Sequence, residues 1–511
     1  MALGIGELFI GFNNGTVRCF DVESVTHKRT YCKPHYLLCD VAKGTSGDAL
    51  LPTSHPANAR YPDVRALCYN KKSGVMTAVY SDRSIYSWQQ LAEGGAITKL
   101  SSQLFHVGAI FALEIYPSAY SFLPAGTFIT CGADETVRIW NVDQRTKRFD
   151  QECTSPLPQT NVYSEELKKA IYLTDANSSL IEMPDKVLAP SSMDLTTGAK
   201  SLRISPDGQH LACGGRDGNL RIYDLTLPDT PMIAIYEAHE AEIMCLEYSD
   251  PQRSERYLLA SGSRDRLVHL FDPRNGYLPL ASVDDHTSTV NSIVFTSYAD
   301  EFFLISCASD KVVVLRRMVE SKPTEVRFER TNQVTSQFGL NNMVMSADGI
   351  LAACQDRQLR TYSLQGKLVK QVRGATTDDG QLTKVRLDPS GTFAATVCSD
   401  RNVYVVEAST GECAAILSGQ SDSVTDVAFS HDCRRLIVVS YSGCIFVWRL
   451  SNLLASKMND RLKRMSASVV QVAATVGKAN DRAETPDSLI GSGSDAASEE
   501  HRLVANKVGH F

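Results

Sequence analysis

The histidine, cysteine and acidic side chains of this chain are the groups that could bind a metal ion or transfer a proton. Three of its 11 histidines, His106, His239 and His286, come shortly before apolar stretches that read as strands. A zinc site needs several Cys or His ligands at short spacing, and no second His or Cys stands at such a spacing from these three. No Gly-rich phosphate loop, nucleophile elbow or pair of catalytic carboxylates is apparent either. The sequence therefore predicts structural histidines, no metal, no cofactor and no enzyme.

A turn residue followed six positions later by an aromatic or bulky residue recurs nine times. Asp suits such a turn because its carboxylate can hydrogen-bond its own backbone. The complete copies are Asp82 to Trp88, Asp134 to Trp140, Asp217 to Tyr223, Asp265 to Phe271, Asp356 to Tyr362 and Asp400 to Val406. The weaker copies are Asn14 to Phe20, Asp310 to Arg316 and Ser442 to Trp448. The recurrence predicts one strand-turn-strand unit used repeatedly.

The spacing of these turns indicates the fold class. From Asp217 onward they recur every 42 to 48 residues, and a period of about 40–45 residues is typical of four-stranded WD40 propeller blades. We therefore predict an all-β chain. In WD-repeat proteins, which this pattern resembles, the turn Asp meets a His from the start of the same blade. The resemblance implies the pairs His106 with Asp134, His239 with Asp265, and His286 with Asp310.

Propellers close when a strand from one end of the ring completes the blade at the other end. Counting seven blades back from Ser442 predicts a closed ring over 96–450, with the strand at 96–105 completing the last blade. Residues 1–95 would be the last two blades of a truncated first propeller. An insertion loop is expected at 143–200, in which Ala170 to Leu173 could supply a fourth strand. A helix is expected at 451–466 and a disordered tail at 467–511, where Ser, Ala, Gly, Asp and Glu dominate.

Composition excludes several classes of partner. The formal net charge of −6 and the absence of an Arg-rich stripe argue against nucleic-acid binding. No signal peptide or long apolar run is present, so neither secretion nor membrane insertion is expected. The 14 cysteines are scattered singly through strands and read as small buried side chains of a reducing compartment. We predict a cytoplasmic or nuclear protein.

Several segments are typical of one family rather than of WD repeats in general. They include Pro34-His35-Tyr36, Tyr61-Pro62-Asp63, Ile204-Ser205-Pro206-Asp207-Gly208, Ser263-Arg264-Asp265-Arg266-Leu267, Cys354-Gln355-Asp356-Arg357 and Cys444-Ile445-Phe446-Val447-Trp448. Together they resemble the mitogen-activated protein kinase-binding protein family of tandem WD-repeat scaffolds, which has a microcephaly-associated spindle-pole member. The resemblance adds the spindle pole or centrosome as an expected location. The resemblance implies two propellers followed by a long tail with kinase-docking and self-association segments. This chain would start inside the first propeller and stop soon after the second, as a short isoform or an incomplete gene prediction would.

The end of the chain holds candidate interaction residues. Lys463 and Arg464 precede Val470 and Val472, and a basic cluster before an apolar-x-apolar step has the form of a kinase-docking peptide. The simpler alternative is an amphipathic helix that packs under the propeller. The Ser/Thr-Pro dipeptides are candidate phosphorylation sites at Thr485 and Ser155.

Basic residues next to the Asp turns could form a surface for an acidic partner, although a solvated face is the simpler interpretation. They are Arg264, Arg266, Arg357, Arg360 and Arg401. The leading functional hypothesis is a non-enzymatic scaffold for JNK-type kinase signalling and spindle-pole organisation, with possible self-association. The alternative is a structural propeller protein that binds cytoskeletal polymers, and a weaker one is an enzyme that uses the propeller channel.

Overall fold

The computed structural model describes residues 1–31, 61–90, 97–103, 105–106, 108–143, 167–173, 198–228, 230–251, 257–299, 301–322 and 325–480. Apart from one short 3-10 helix at Pro273–Asn275 and one α-helix, the described residues form antiparallel β-sheets. The predicted all-β class is therefore confirmed. None of the helices described has the length and apolar character needed to span a membrane.

The strands of the described residues form nine sheets in chain order. The first two sheets are β1 (Ala2–Leu3), β2 (Glu7–Gly11), β3 (Val17–Asp21) and β4 (His27–Tyr31), then β5 (Val64–Asn70), β6 (Val75–Tyr80), β7 (Ile85–Gln90) and β8 (Ile97–Gln103). The third and fourth are β9 (Ile110–Ile115), β10 (Thr127–Gly132), β11 (Thr136–Asn141) and β12 (Leu167–Tyr172), then β13 (Ala199–Ile204), β14 (His210–Gly215), β15 (Asn219–Asp224) and β16 (Met232–Glu237).

The fifth and sixth sheets are β17 (Ile243–Tyr248), β18 (Leu259–Ser263), β19 (Val268–Asp272) and β20 (Leu278–Val283), then β21 (Val290–Tyr298), β22 (Glu301–Ala308), β23 (Val312–Lys322) and β24 (Glu325–Thr335). The seventh and eighth are β25 (Leu340–Ser346), β26 (Gly349–Cys354), β27 (Gln358–Tyr362) and β28 (Leu368–Arg373), then β29 (Leu382–Leu387), β30 (Phe393–Cys398), β31 (Val403–Glu407) and β32 (Cys413–Leu417). The ninth is β33 (Val424–Phe429), β34 (Arg435–Ser440) and β35 (Ile445–Arg449).

Within a sheet, burial decreases from the second strand to the fourth. Strands such as β10 and β30 are buried at every residue, and their sequences, TFITCG and FAATVC, are accordingly apolar or small. Fourth strands such as β16 alternate between half-buried and exposed residues. This difference is expected when sheets pack face to face and each fourth strand lies at the outside.

The first strands of the third to ninth sheets are neighbours. β9 contacts β13, and the contacts continue through β17, β21, β25, β29 and β33, which in turn contacts β9. We call the space that these seven first strands surround the central channel. The first two sheets share a separate core that contains Phe9, Tyr31, Met76, Tyr86 and Trp88. The first strands therefore position any site inside the channel, and the turns position any site at its rim.

The predicted closing strand was wrong. β8 pairs with β7 of the second sheet, with Lys99 opposite Trp88, and does not extend the ninth sheet. The ninth sheet has three strands among the described residues. The short connection explains why β8 pairs with β7, since only six residues separate the two strands. Closing a short loop costs less chain entropy than pairing strands that are far apart in sequence.

The insertion and the tail were predicted in part. The proposed fourth strand near Ala170 is confirmed, since β12 pairs with β11. The terminal helix, here called α1, runs over Asn452–Asn480. It is therefore longer than the predicted 451–466 and includes residues that were expected to be disordered. Ala is the best helix former, so the Ser/Ala-rich segment was misread as incompatible with helix.

α1 packs against the chain through one side. Leu454 and Met458 are buried in the core of the eighth and ninth sheets, and Leu462 packs against the same core. These residues are four apart, which places them on one helix face. The structure therefore shows the amphipathic packing that was the simpler of the two interpretations for the start of this segment.

Candidate functional site

All nine turn residues are followed by a residue in the left-handed region of φ. The value runs from 56° at Glu135 to 82° at Gly218. This conformation is costly for residues other than Gly, and a local hydrogen bond compensates. In eight of the nine turns the Asn or Asp side chain accepts from the backbone N–H two residues later, as between Asp134 and Thr136 at 3.3 Å and between Asp400 and Asn402 at 2.9 Å.

In the third sheet, four buried side chains form a chain of hydrogen bonds. Nδ1 of His106 lies 2.9 Å from Oδ2 of Asp134, and Nε2 lies 2.8 Å from Oγ1 of Thr130. Nε1 of Trp140 donates to the same Thr130 oxygen at 2.8 Å. Burial lowers the pKa of His106, so the ring is neutral near pH 7 and donates through Nδ1–H to the carboxylate. This arrangement fixes the Asp turn to its own sheet.

The other two predicted His–Asp pairs also meet. Nδ1 of His239 lies 2.8 Å from Asp265, and Nδ1 of His286 lies 3.1 Å from Asp310. In the sixth sheet a buried guanidinium takes the place of the indole, because Nη1 of Arg316 donates to Ser306, which also bonds His286. The weak sequence copy that ends on Arg316 therefore has the same hydrogen-bond pattern with a different donor.

His269 lies beside one of these three histidines in space, although it is 30 residues from His239 in the sequence. The rings of His239 and His269 have centroids 4.4 Å apart, and ligand atoms of His239, Asp265 and His269 all lie within 4.8 Å of one another. Both ring nitrogens of His239 are already hydrogen-bonded, to Asp265 and to Ser261 at 2.8 Å each. The cluster therefore has a structural explanation that does not need a metal.

His269 stands four residues after its turn Asp, and that position has a general role. In sheets without the His, a side chain at this position holds the Asp: Arg221 on Asp217 at 2.6 Å and Tyr404 on Asp400 at 2.5 Å. Arg360 holds Asp356 in the same way. Arg360 was read as part of a solvated rim, which was wrong, because it is buried and ion-paired.

The turn of the ninth sheet is held differently. Ser442 takes the place of the Asp, and its hydroxyl lies 2.9 Å from that of Ser440. Nε1 of Trp448 is buried without a hydrogen-bond partner among the described residues, and so are both amide atoms of Gln420. Trp448 thus packs against the core of the last sheets but lacks the hydrogen bond that Trp140 makes to Thr130.

The predicted docking and phosphorylation residues do not form one site in the described part of the chain. Lys463 and Arg464 are exposed on α1, and Nε of Arg464 donates to the backbone oxygen of Asp460. Val470 and Val472 lie further along the same continuous helix, whereas the prediction placed them after its end. Thr485 and Ser155 lie outside the described residues.

A network of ion pairs crosses the central channel, and sequence reasoning missed it. Arg203 contacts Glu114 at 3.0 Å and Glu247 at 2.7 Å, and Arg386 contacts Glu114 at 3.2 Å and Asp426 at 3.3 Å. Each of the two arginines stands two residues before a Ser-Pro or Asp-Pro turn. That position is visible in the sequence, whereas the acidic partners lie on other strands and are not.

The Asp turns lie at one end of the channel, because the first strands begin at that end. For example, the backbone N–H of Arg216, next to the turn at Asp217, donates to the backbone oxygen of Gly198, just before β13, at 2.9 Å. Phe111, near the start of β9, has Nζ of Lys200 4.1 Å from its ring centroid and the guanidinium carbon of Arg216 at 5.3 Å. Tyr441 contacts the same ring edge-on at 6.1 Å. We call Phe111, Lys200, Arg216, Lys384 and Tyr441 the channel mouth.

Most of the chain is similar to known WD-repeat proteins. Residues 110–450, which cover the third to ninth sheets, match the profile of the MABP1/WDR62 second WD40 domain. The chain belongs to the MABP1/WDR62 family. It is 37% identical over 465 residues to WD repeat-containing protein 62 of Mus musculus, and 37% identical over 468 residues to mitogen-activated protein kinase-binding protein 1 of Homo sapiens.

These alignments cover 89% and 90% of this MABP1/WDR62 family chain and 30% of each relative. The chain therefore spans about a third of the length of the curated relatives it matches. A shorter similarity, 28% identity over 172 residues, extends to WD repeat-containing protein slp1 of Schizosaccharomyces pombe. The resemblance recognised in the sequence is confirmed.

Proposed function

We propose that this chain is a non-enzymatic protein-interaction scaffold whose third to ninth sheets form a closed, seven-bladed WD40 propeller. The observation that carries the proposal is the match of residues 110–450 to a family WD40 domain. The circle of contacts from β9 round to β33 and back supports ring closure. Its mechanism is proximity: rigid sheets hold the turn and loop side chains in fixed positions for partners to bind.

We further assign mitogen-activated protein kinases of the JNK type and spindle-pole or centrosome proteins as its partners, in the cytoplasm and at the spindle pole. The support is similarity, since one relative is named for binding a mitogen-activated protein kinase. Two places on the chain could contact them: the loops around the channel mouth, and the exposed cations Lys463 and Arg464 on α1.

Affinity purification with mass spectrometry from dividing cells tests this assignment. Cutting the chain after Leu450 would be a poor test, because Leu454 and Met458 belong to the core. The sharper comparison is the unmodified chain against Lys463→Glu/Arg464→Glu, which reverses two exposed charges and leaves the core intact. Lys457→Glu, an exposed charge reversal on the same helix, is the matched control.

Each outcome has a distinct meaning. Kinase and spindle-pole proteins that are lost only with Lys463→Glu/Arg464→Glu would place docking on α1. If they are retained by all variants, the sheets and loops are the platform. If the unmodified chain recovers neither class, the partner assignment is refuted. Co-sedimentation of the purified chain with actin or microtubules would instead favour the cytoskeletal alternative.

A further inference from the structure

The central channel carries more cationic groups than its ion pairs use. Its cationic side chains are Lys200, Arg203, Arg216, Lys384 and Arg386, and its acidic ones are Glu114, Glu242, Glu247 and Asp426. The two channel arginines are paired with carboxylates as described above, and Arg216 contacts Glu242 at 3.4 Å. Lys200 and Lys384 form no ion pair or hydrogen bond with a described residue. The two ammonium groups therefore have unused donors.

Lys200 is held in place without an acceptor. Its ammonium lies over the face of Phe111, a cation–π contact that favours the charge but uses none of its three N–H donors. Burial lowers the pKa of Lys200; Glu242 opposes the shift, and the positive charges of Lys384 and Arg216 add to it. Lys200 and Arg216 therefore lie against the same ring with like charges, and an anion bound beside them would relieve their repulsion.

Lys384 lies on β29 two residues before Arg386, so the two side chains project from the same face of that strand. Because Arg386 contacts Glu114 on β9, this face lines the channel. Burial raises the pKa of the Cys245 thiol on β17 to about 12, and the positive charge of Lys384 opposes that shift. The charge of Lys384 thus acts on β13 and β17. On the neighbouring β33, burial opposes ionisation of Asp426, but Arg386 and Lys384 together lower the pKa of Asp426.

We infer that the channel mouth binds an oxyanion carried on a peptide side chain, with Lys200 and Lys384 as its principal donors. The chemistry required is a carboxylate or phosphate, because both accept several charge-assisted hydrogen bonds from ammonium groups. The mouth is also lined by Phe111 and the exposed ring of Tyr441, and aromatic and Arg side chains are enriched where proteins bind proteins. The inference rests on the proposed interaction role for its choice of a peptide as occupant.

The test measures binding of defined peptides to the purified full chain by fluorescence anisotropy. Three nine-residue Gly/Ser peptides differ only at the central position, which is phosphoserine, glutamate or serine. The variant Lys200→Gln/Lys384→Gln removes both charges at similar size. Lys200→Arg/Lys384→Arg keeps the charges, and Lys457→Gln removes an exposed charge far from the channel.

We expect saturable binding of the phosphoserine or glutamate peptide and none of the serine peptide. The double Gln variant should weaken binding about tenfold or more, the double Arg variant should restore most of it, and Lys457→Gln should not change it. Binding should also weaken as salt is raised. Comparing the phosphoserine peptide with the glutamate peptide shows whether the site prefers a phosphate or a carboxylate.

Equal affinity of the double Gln variant, or no saturable binding of either acidic peptide, would overturn the inference. If inorganic phosphate binds as tightly as the phosphoserine peptide, the site takes a free anion and the peptide assignment is wrong. Retained binding by the double Arg variant excludes misfolding as the reason for a loss with Gln. Because the assay uses purified components, its failure is distinguishable from a failure to capture kinases in cells.

Discussion

Protonation of His239 should destabilise the protein as pH falls below neutrality. The side chain of His239 is fully buried, and burial together with the neighbouring His269 lowers its pKa from 6.5 to about 4, against the opposing effect of Asp265. The unfolded chain binds a proton near pH 6.5 and the folded chain only near 4. The unfolded state therefore takes up more protons between these values, and the free energy of unfolding decreases as pH falls through that window.

The magnitude follows from the two pKa values. Between pH 7 and pH 5 this single group lowers the free energy of unfolding by about 2 kcal/mol, and by pH 4 by about 3 kcal/mol. Burial also lowers the pKa of His106, His269 and His286, so their contributions have the same sign. The total decrease should therefore exceed that of His239 alone.

Urea unfolding followed by far-UV circular dichroism at pH 7 and pH 5 measures the effect. His239→Gln should destabilise the protein at pH 7, because it removes the bonds to Asp265 and Ser261. The difference from the unmodified chain should shrink by about 2 kcal/mol at pH 5. Leu453→Ala, an exposed substitution that removes no titratable group, should leave the pH dependence unchanged. Parallel pH dependences of His239→Gln and the unmodified chain would refute the reasoning.

Two further predictions concern packing and hydrogen bonding. Met458→Ala should lower the free energy of unfolding by about 2–5 kcal/mol, because the side chain is fully buried against the last sheets. Leu453→Ala, on the exposed side of the same helix, should change it by less than about 0.5 kcal/mol in the same urea experiment. Trp140→Phe should lower the free energy of unfolding by about 1–3 kcal/mol more than Trp448→Phe does, since only Trp140 donates a hydrogen bond to Thr130. Equal costs would show that the indole hydrogen bond contributes nothing measurable.

The turns could be predicted from sequence because their chemistry is local. The Asp carboxylate and the amide that it holds are two residues apart, so the pattern appears directly in the order of residues. The partner at the fourth position, such as Arg221 for Asp217, is also local. It was missed because several residue types occupy that position, so no single residue type repeats from sheet to sheet.

Long-range pairings could not be predicted in this way. The contacts of Arg386 with Glu114 join residues on separate strands, β29 and β9, that are not neighbours around the channel. Nothing in the spacing of either residue specifies the other. The assignment of β8 failed for a related reason, because an argument about ring closure was given more weight than the short connection from β7.

The same turn is held in place by different side chains from sheet to sheet. His106 and Thr130 do so in the third, Arg221 in the fourth and Tyr404 in the eighth, while the backbone keeps one conformation. Because the turn geometry depends on local bonds, the first strands are not needed to specify it. Their channel-facing side chains are therefore free to differ, and it is there that the unpaired charges of Lys200 and Lys384 occur. A site that distinguishes this chain from other propellers is expected at the channel mouth, where the repeat does not constrain the side chains.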